Sequence, residues 1–220
     1  MQMLKCKFRI PATLGLALLA ALGWLPCRVH AQESWEKRDA WQRPAEVMDA
    51  LGVKSGSVVA DVGAGKGYFT FRLGDRVGPQ GKVYAVDIDS ERVEEVRDRA
   101  KKTGQEQIVA VLGAAGDPHL PGETLDAVLV VNAYHEMLEY EAMLQGMYRA
   151  LKPGGRLGVI DHSDAAGKPR KTYQDRHTIP EELVREDATR NGLQLLRKAP
   201  GFKNEDGDLW FFLIFEKPKH

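Results

Sequence analysis

The sequence predicts an α/β fold: a doubly wound, seven-stranded, mostly parallel sheet with an antiparallel C-terminal strand. Three observations carry this. Apolar, strand-like runs alternate with helix-like segments five times from Ser57 onward. The first run passes straight into a glycine turn, "VVADVGAGKGYFT" (58–70). The last two runs follow one another with no helix between them. Parallel neighbours need a long crossover, so that final pair must be antiparallel.

Taken in order, "RPAEVMDALGV" (43–53) reads as a leading helix over one sheet edge. "SVVADVG" (57–63) is a continuous apolar run, as expected of a strand covered on both faces. "GYFTFRLGDRVG" (67–78) reads as a helix and "KVYAVDI" (82–88) as the second strand. "SERVEEVRDRAKKTG" (90–104) is a helix with a charged outer face and Gly104 as its stop. "IVAVLG" (108–113) and "LDAVLVVN" (125–132) are the third and fourth strands. Met143, Leu144, Met147, Tyr148 and Leu151 form one apolar face of a helix over 140–151. "KPGG" (152–155) reads as a turn before the fifth strand, "RLGVID" (156–161). The next helix is expected to open at Thr178 with a capping box to Glu181, and to stop near Gly192. The last strands are "LQLLRKA" (193–199) and "LWFFLIFEK" (209–217).

Ahead of this domain, residues 1–31 have the order of a secretory signal. Lys5, Lys7 and Arg9 precede an apolar run from Ile10 to Leu25, and small residues, Val29 and Ala31, stand where a signal peptidase reads. The organisation expected is a signal peptide (1–31) and one domain (32–220). The location expected is export, periplasmic or extracellular, or a membrane anchor through 10–25 if the leader is kept. Both cysteines, Cys6 and Cys27, lie in the leader, so residues 32–220 hold no disulfide and no thiolate chemistry. The leader carries four basic and no acidic residues, which leaves 27 basic against 31 acidic, a net charge near −4. A mildly acidic chain without a basic block argues against nucleic acid as a partner. No stable membrane insertion is expected once the leader is gone, and the sequence carries no sign of oligomeric state.

Glycines at 63, 65 and 67 let the backbone approach a ligand at the carboxyl end of the first strand, where open α/β sheets bind. A nicotinamide fingerprint, G-x-G-x-x-G, would need its third glycine at position 68, where Tyr68 stands. Asp61 would repel a pyrophosphate and attract an ammonium group. An amino-acid-bearing nucleoside therefore fits better than a dinucleotide.

"VVADVGAGKGYFT" resembles the first motif of class I S-adenosylmethionine-dependent methyltransferases, and "VYAVDIDSERV" their second-strand motif. "DPHLPGETLDAVLVVNAYHE" and "YRALKPGGRLGVID" resemble their fourth- and fifth-strand regions. The order is that of the small-molecule enzymes related to ubiquinone/menaquinone biosynthesis, and it spans 43–217. The resemblance implies a Rossmann-like methyltransferase fold, S-adenosylmethionine as cofactor and in-line methyl transfer to a small molecule. It implies that Asp61, Gly63, Ala64, Gly65 and Gly67 surround the methionine part and that Asp87 binds the ribose hydroxyls. Tyr68, Ile88 and Asn132 complete the implied cofactor set. Asp117 either reaches the adenine amino group or only starts a turn with Pro118.

Methyl transfer needs in-line placement and often a base. Candidates follow the fourth and fifth strands: His135 is the best base, with Tyr134, Asp161 and His162 beside it. A metal reading would use His135, Asp161, His162 and His177, but no spacing among them is a metal-site pattern, and no metal is expected. The competing readings are a nucleoside-binding module that kept the fold without catalysis, and a nicotinamide oxidoreductase, which Tyr68 and Asp61 disfavour.

Overall fold

The structure, a computed structural model, describes residues 35–219. The leader read at 1–31 lies outside them. The described residues all fall within one compact unit. Its sheet holds β1 (Val58–Val62), β2 (Lys82–Asp87), β3 (Ile108–Leu112), β4 (Leu125–Val131), β5 (Leu151–His162), β6 (Gln194–Lys203) and β7 (Leu209–Glu216). The strand order is β3-β2-β1-β4-β5-β7-β6. β1 to β5 pair in parallel, while β7 runs antiparallel between β5 and β6. The order reverses between β1 and β4, and there the carboxyl ends of the strands open a crevice.

The helices are α1 (Trp35–Gln42), α2 (Pro44–Leu51), α3 (Tyr68–Val77), α4 (Ser90–Thr103), α5 (Tyr140–Ala150), α6 (Arg170–Asp175) and α7 (Glu181–Arg190). Successive strand residues point to opposite faces, and both faces are covered. Val59, Leu129, Ile160 and Phe212 pack in one buried cluster with Val47, Leu73 and Val96 from α2, α3 and α4. Val62, Val130, Val159 and Phe215 pack in the other with Leu144 and Met147 of α5 and Val184 of α7. This is why the central strands read as largely apolar runs, while edge strand β6 is mostly exposed. Among the described residues no helix is long and apolar enough to cross a membrane.

Some local expectations are corrected. "KPGG" is not a turn outside the sheet: β5 already begins at Leu151, paired with Leu125, and its register slips between Leu125 and Ala127. Gly154, at φ +79°, absorbs the irregularity. The capping box at Thr178 does not form. The helix starts at Glu181 after Pro180 with no side-chain cap, and the Thr178 hydroxyl donates to Asp164 Oδ2 at 3.1 Å instead. α1, the short α6 and a 3₁₀ turn at Tyr134–Glu136 were not read from the sequence.

Candidate functional site

A cavity of about 290 Å³ opens at the carboxyl ends of the strands. Its walls are Val62, Gly63 and Gly65 at the end of β1 and in the turn after it, Val86, Asp87 and Ile88 at the end of β2, and Ala114 and Ala115 after β3. Asn132, Ala133, Glu136, Met137, Leu138 and Met143 close it from the β4 side. Ile88 and Leu138 are among the few large apolar side chains left exposed, 66% and 76%, and both stand on this cavity. Exposed apolar surface gathered around a concave site is a ligand-binding feature.

The glycine turn is built by β2. The Gly63 and Ala64 amides both donate to the Val86 carbonyl, at 2.9 and 3.0 Å. The Gly65 amide donates to Asp87 Oδ2 at 2.8 Å, while Asp87 Oδ1 accepts the Asp89 amide at 3.0 Å. One oxygen of Asp87 thus ties the turn and the other the start of α4, and each keeps a lone pair for a ligand hydroxyl. A Cβ at Gly65 would meet no atom within 4 Å, so the turn leaves a cradle there. A carboxylate beside an open backbone turn and apolar walls suits a nucleoside.

Asp61 is buried behind the turn, 3% exposed, and accepts the Thr70 hydroxyl from α3 at 2.6 Å. Burial raises its pKa to about 6, against the lowering effect of Thr70. Tyr68 turns away from the cavity lining and donates its hydroxyl to Asp39 Oδ1 at 2.7 Å, with the Arg38 and Arg72 guanidinia each 4.0 Å from its ring. This explains how an aromatic is accommodated where a dinucleotide fold has glycine. Gly67, at φ +82°, precedes α3, and a Cβ on it would press on Phe71 at 2.7 Å.

On the β4 side, the 3₁₀ turn divides its side chains. Tyr134 is fully buried and donates its hydroxyl to Asp187 Oδ2 at 2.9 Å, which keeps the phenol well above its ordinary pKa through burial and the Asp187 charge. His135 is also buried. Its Nδ1 lies 2.8 Å from Asp161 Oδ1, and its amide donates to Asp161 Oδ2 at 3.1 Å. Burial alone would lower the imidazole pKa, but the Asp161 hydrogen bond and charge outweigh it and hold the value above the ordinary one. With Nδ1 engaged, Nε2 is left without a hydrogen-bond partner.

Of the residues predicted for a cofactor, Gly63, Gly65, Asp87, Ile88 and Asn132 line the cavity. Asp61, Ala64, Gly67 and Tyr68 build the turn from behind. Asp117 bonds inside its own loop, accepting the His119 amide at 2.9 Å, and leaves Ala114 and Ala115 to line the cavity. Of the residues predicted for catalysis, the fold brings His135 and Asp161 together. It does not add the other two: Tyr134 is committed to Asp187, and His162 stacks on Trp210, ring centroids 5.1 Å apart. Met137, Leu138 and Met143 were missed as lining residues: the first two stand in a loop, where no periodicity shows which way they face, and Met143 read only as part of the apolar face of α5.

Residues 30–177 match the ubiE/COQ5 methyltransferase family. The chain is 31% identical over 154 residues to the ubiquinone/menaquinone biosynthesis C-methyltransferase UbiE of Escherichia fergusonii, covering 67% of this chain and 61% of that protein. It is 28% identical to the demethylmenaquinone methyltransferase of Anoxybacillus flavithermus, covering 62% and 56%. The chain thus spans about three fifths of the length of the curated relatives it matches. Among solved structures, a SAM-dependent methyltransferase from Aquifex aeolicus superposes with a TM-score of 0.66 at 25% identity, over 79% of this chain and 89% of that one. Kinship with quinone-biosynthesis methyltransferases overturns the expectation of export, since a methyl donor made in the cytosol would be out of reach outside it. The match covers most of the chain, from before α1 through the loop after α6, and takes in β1 to β5: the chain belongs to the ubiE/COQ5 methyltransferase family.

Proposed function

We propose that this protein transfers a methyl group from S-adenosylmethionine to a small-molecule acceptor. The observation that carries the reading is the pairing of Asp87 with the Gly65 amide at the wall of the cavity. This carboxylate accepts ribose hydroxyls, and the cradle at Gly65 admits the amino-acid end of the cofactor. Asp61, behind the turn, supplies negative charge toward the cofactor's ammonium. Ile88 and the two alanines after β3 offer apolar surface to the adenine. When bound, the cofactor supplies an electrophilic methyl on a sulfonium. The chain's own contribution is to hold the acceptor in line with that methyl and exclude water, which the apolar Met137 and Leu138 favour.

The names of the relatives suggest a quinol-like aromatic acceptor, which an apolar rim would suit. On the acceptor's side we assign His135, oriented by Asp161, because Tyr134 and His162 are engaged elsewhere. The test is thermal unfolding of the full chain with S-adenosylmethionine, S-adenosylhomocysteine or NAD. At 100 times its dissociation constant a ligand adds about 2.7 kcal/mol. Both sulfur nucleosides should raise the midpoint, NAD should not, and Asp87→Ala should abolish the shift. A shift with NAD alone, or none with either nucleoside, would overturn the reading.

A further inference from the structure

We propose that His135, Glu136 and His177 form a binding site for one divalent transition-metal ion, of the zinc class, on the acceptor side of the cavity. His135 and Glu136 come from the 3₁₀ turn after β4. His177 comes from the loop after α6, where it is held at φ +53°. That loop is pinned to β5: the Ile179 amide donates to the His162 carbonyl at 2.9 Å, and Asp164 receives the Thr178 hydroxyl and the Lys168 ammonium.

One nitrogen from each histidine and one carboxylate oxygen lie within 4.8 Å of one another. His135 Nε2 is 3.6 Å and His177 Nδ1 is 3.4 Å from Glu136 Oε1. Zinc bonds of about 2.0–2.2 Å in a tetrahedron set neighbouring ligand atoms about 3.4 Å apart. The remaining histidine–histidine edge closes by rotation of the exposed His177 ring, which is 71% exposed and 5.4 Å from the His135 ring.

The independent observation is His135 itself. Its side chain is completely buried, yet Nε2 has no hydrogen-bond partner among the described residues. The 3.6 Å to Glu136 is too long for a hydrogen bond. A buried orphan nitrogen is costly unless something it can bind is missing. Asp161, also fully buried, accepts Nδ1–H and thereby fixes the tautomer whose lone pair is at Nε2. A carboxylate behind a histidine is the usual outer support of a metal ligand, and it raises the ligand's basicity.

Two imidazoles and one carboxylate suit zinc, cobalt or iron(II) and not magnesium or calcium, which prefer all-oxygen sites. Three protein ligands leave a position open, and Glu136 is itself a wall of the cavity. An acceptor oxygen is the group such a position would take. Of the residues that a metal reading of the sequence would use, Asp161 thus supports from behind and His162 takes no part, while Glu136, outside that set, supplies the carboxylate.

Metal binding is measured without reference to methyl transfer, so its failure and the failure of that reading are separable. Full-length untagged chain, stripped with chelator, is titrated with Zn²⁺ by calorimetry and with Co²⁺ by visible absorption. One ion per chain is expected, with the intense visible bands of tetrahedral or five-coordinate cobalt. His177→Ala and Glu136→Gln alter exposed side chains and leave the fold intact, and each should weaken binding at least tenfold. Asp161→Asn should weaken it about 10–100-fold, as outer-shell changes do. Absence of stoichiometric binding would overturn the site. Binding that His177→Ala and Glu136→Gln both leave unchanged would put the ion elsewhere and overturn it equally.

Discussion

Asp61 shows how one buried carboxylate makes stability depend on pH. Its pKa in the folded chain is about 6, raised by burial from the ordinary 3.8. Between those values the folded state keeps a proton that the unfolded state has lost. The contribution of this group to stability therefore falls as pH rises from about 4 to about 6, by on the order of 3 kcal/mol, and stays constant above. Asp61→Asn has no such proton to lose and can still accept the Thr70 hydroxyl. Denaturant unfolding at pH 4, 5, 6 and 7 should show the variant gaining on the parent through this window and then holding level. A difference independent of pH would mean that Asp61 does not titrate there. The position of such a residue behind a glycine turn was open to sequence reading, because its place before Gly63 is a matter of spacing. The role of Tyr134 was not, because a 3₁₀ turn sends neighbouring side chains to unrelated partners: Tyr134 to Asp187 on α7, and His135 to Asp161 on β5.

At the scale of elements, two of the three glycines in the turn joining β1 to α3 have different duties. Gly63 has φ +76°, and a Cβ there would fall 2.3 Å from the Ala133 Cβ after β4. Gly65 has φ +53° and meets nothing. Gly63→Ala forces β1 and β4 apart and should cost about 3 kcal/mol of stability. Gly65→Ala carries only the left-handed backbone penalty, on the order of 1 kcal/mol. Its methyl enters the cradle, however, and should weaken S-adenosylhomocysteine binding at least tenfold by calorimetry. Equal stability loss in the two variants, or unchanged affinity in the second, would refute this division of labour. The elements themselves were legible wherever burial is two-sided, as in β1 and β4, whose runs are apolar except for one aspartate each, Asp61 and Asp126. They were less legible where a local rule competed with tertiary packing. "KPGG" obeys turn chemistry but is drawn into β5 by its pairing with Leu125, and Thr178 spends its hydroxyl on Asp164 instead of capping α7. The metal reading of the sequence held His135 and His177 together but took Asp161 and His162 beside them and passed over Glu136, because spacing does not show which carboxylate a loop 41 residues further on will meet.

For the whole molecule, the proposed ligand touches the ends of β1, β2 and β4 and the loop after β3, while β6 lies at the opposite edge of the sheet. β6 is mostly exposed and slips register twice against β7. Its amides should open locally, by fraying, without unfolding the sheet. Central amides such as those of Val59, Val130 and Val159 have no such route and exchange only when the molecule unfolds. A ligand that binds the folded state alone lowers the population of the unfolded one by its concentration over its dissociation constant. Hydrogen exchange with S-adenosylhomocysteine at 100 times that constant should therefore slow the central amides about 100-fold. Amides in β6 that exchange by local opening should keep their rates, since that opening leaves the cavity intact. Slowing of β6 by the same factor would mean that the sheet opens as one unit and that its edge is bound into the same cooperative core as the site.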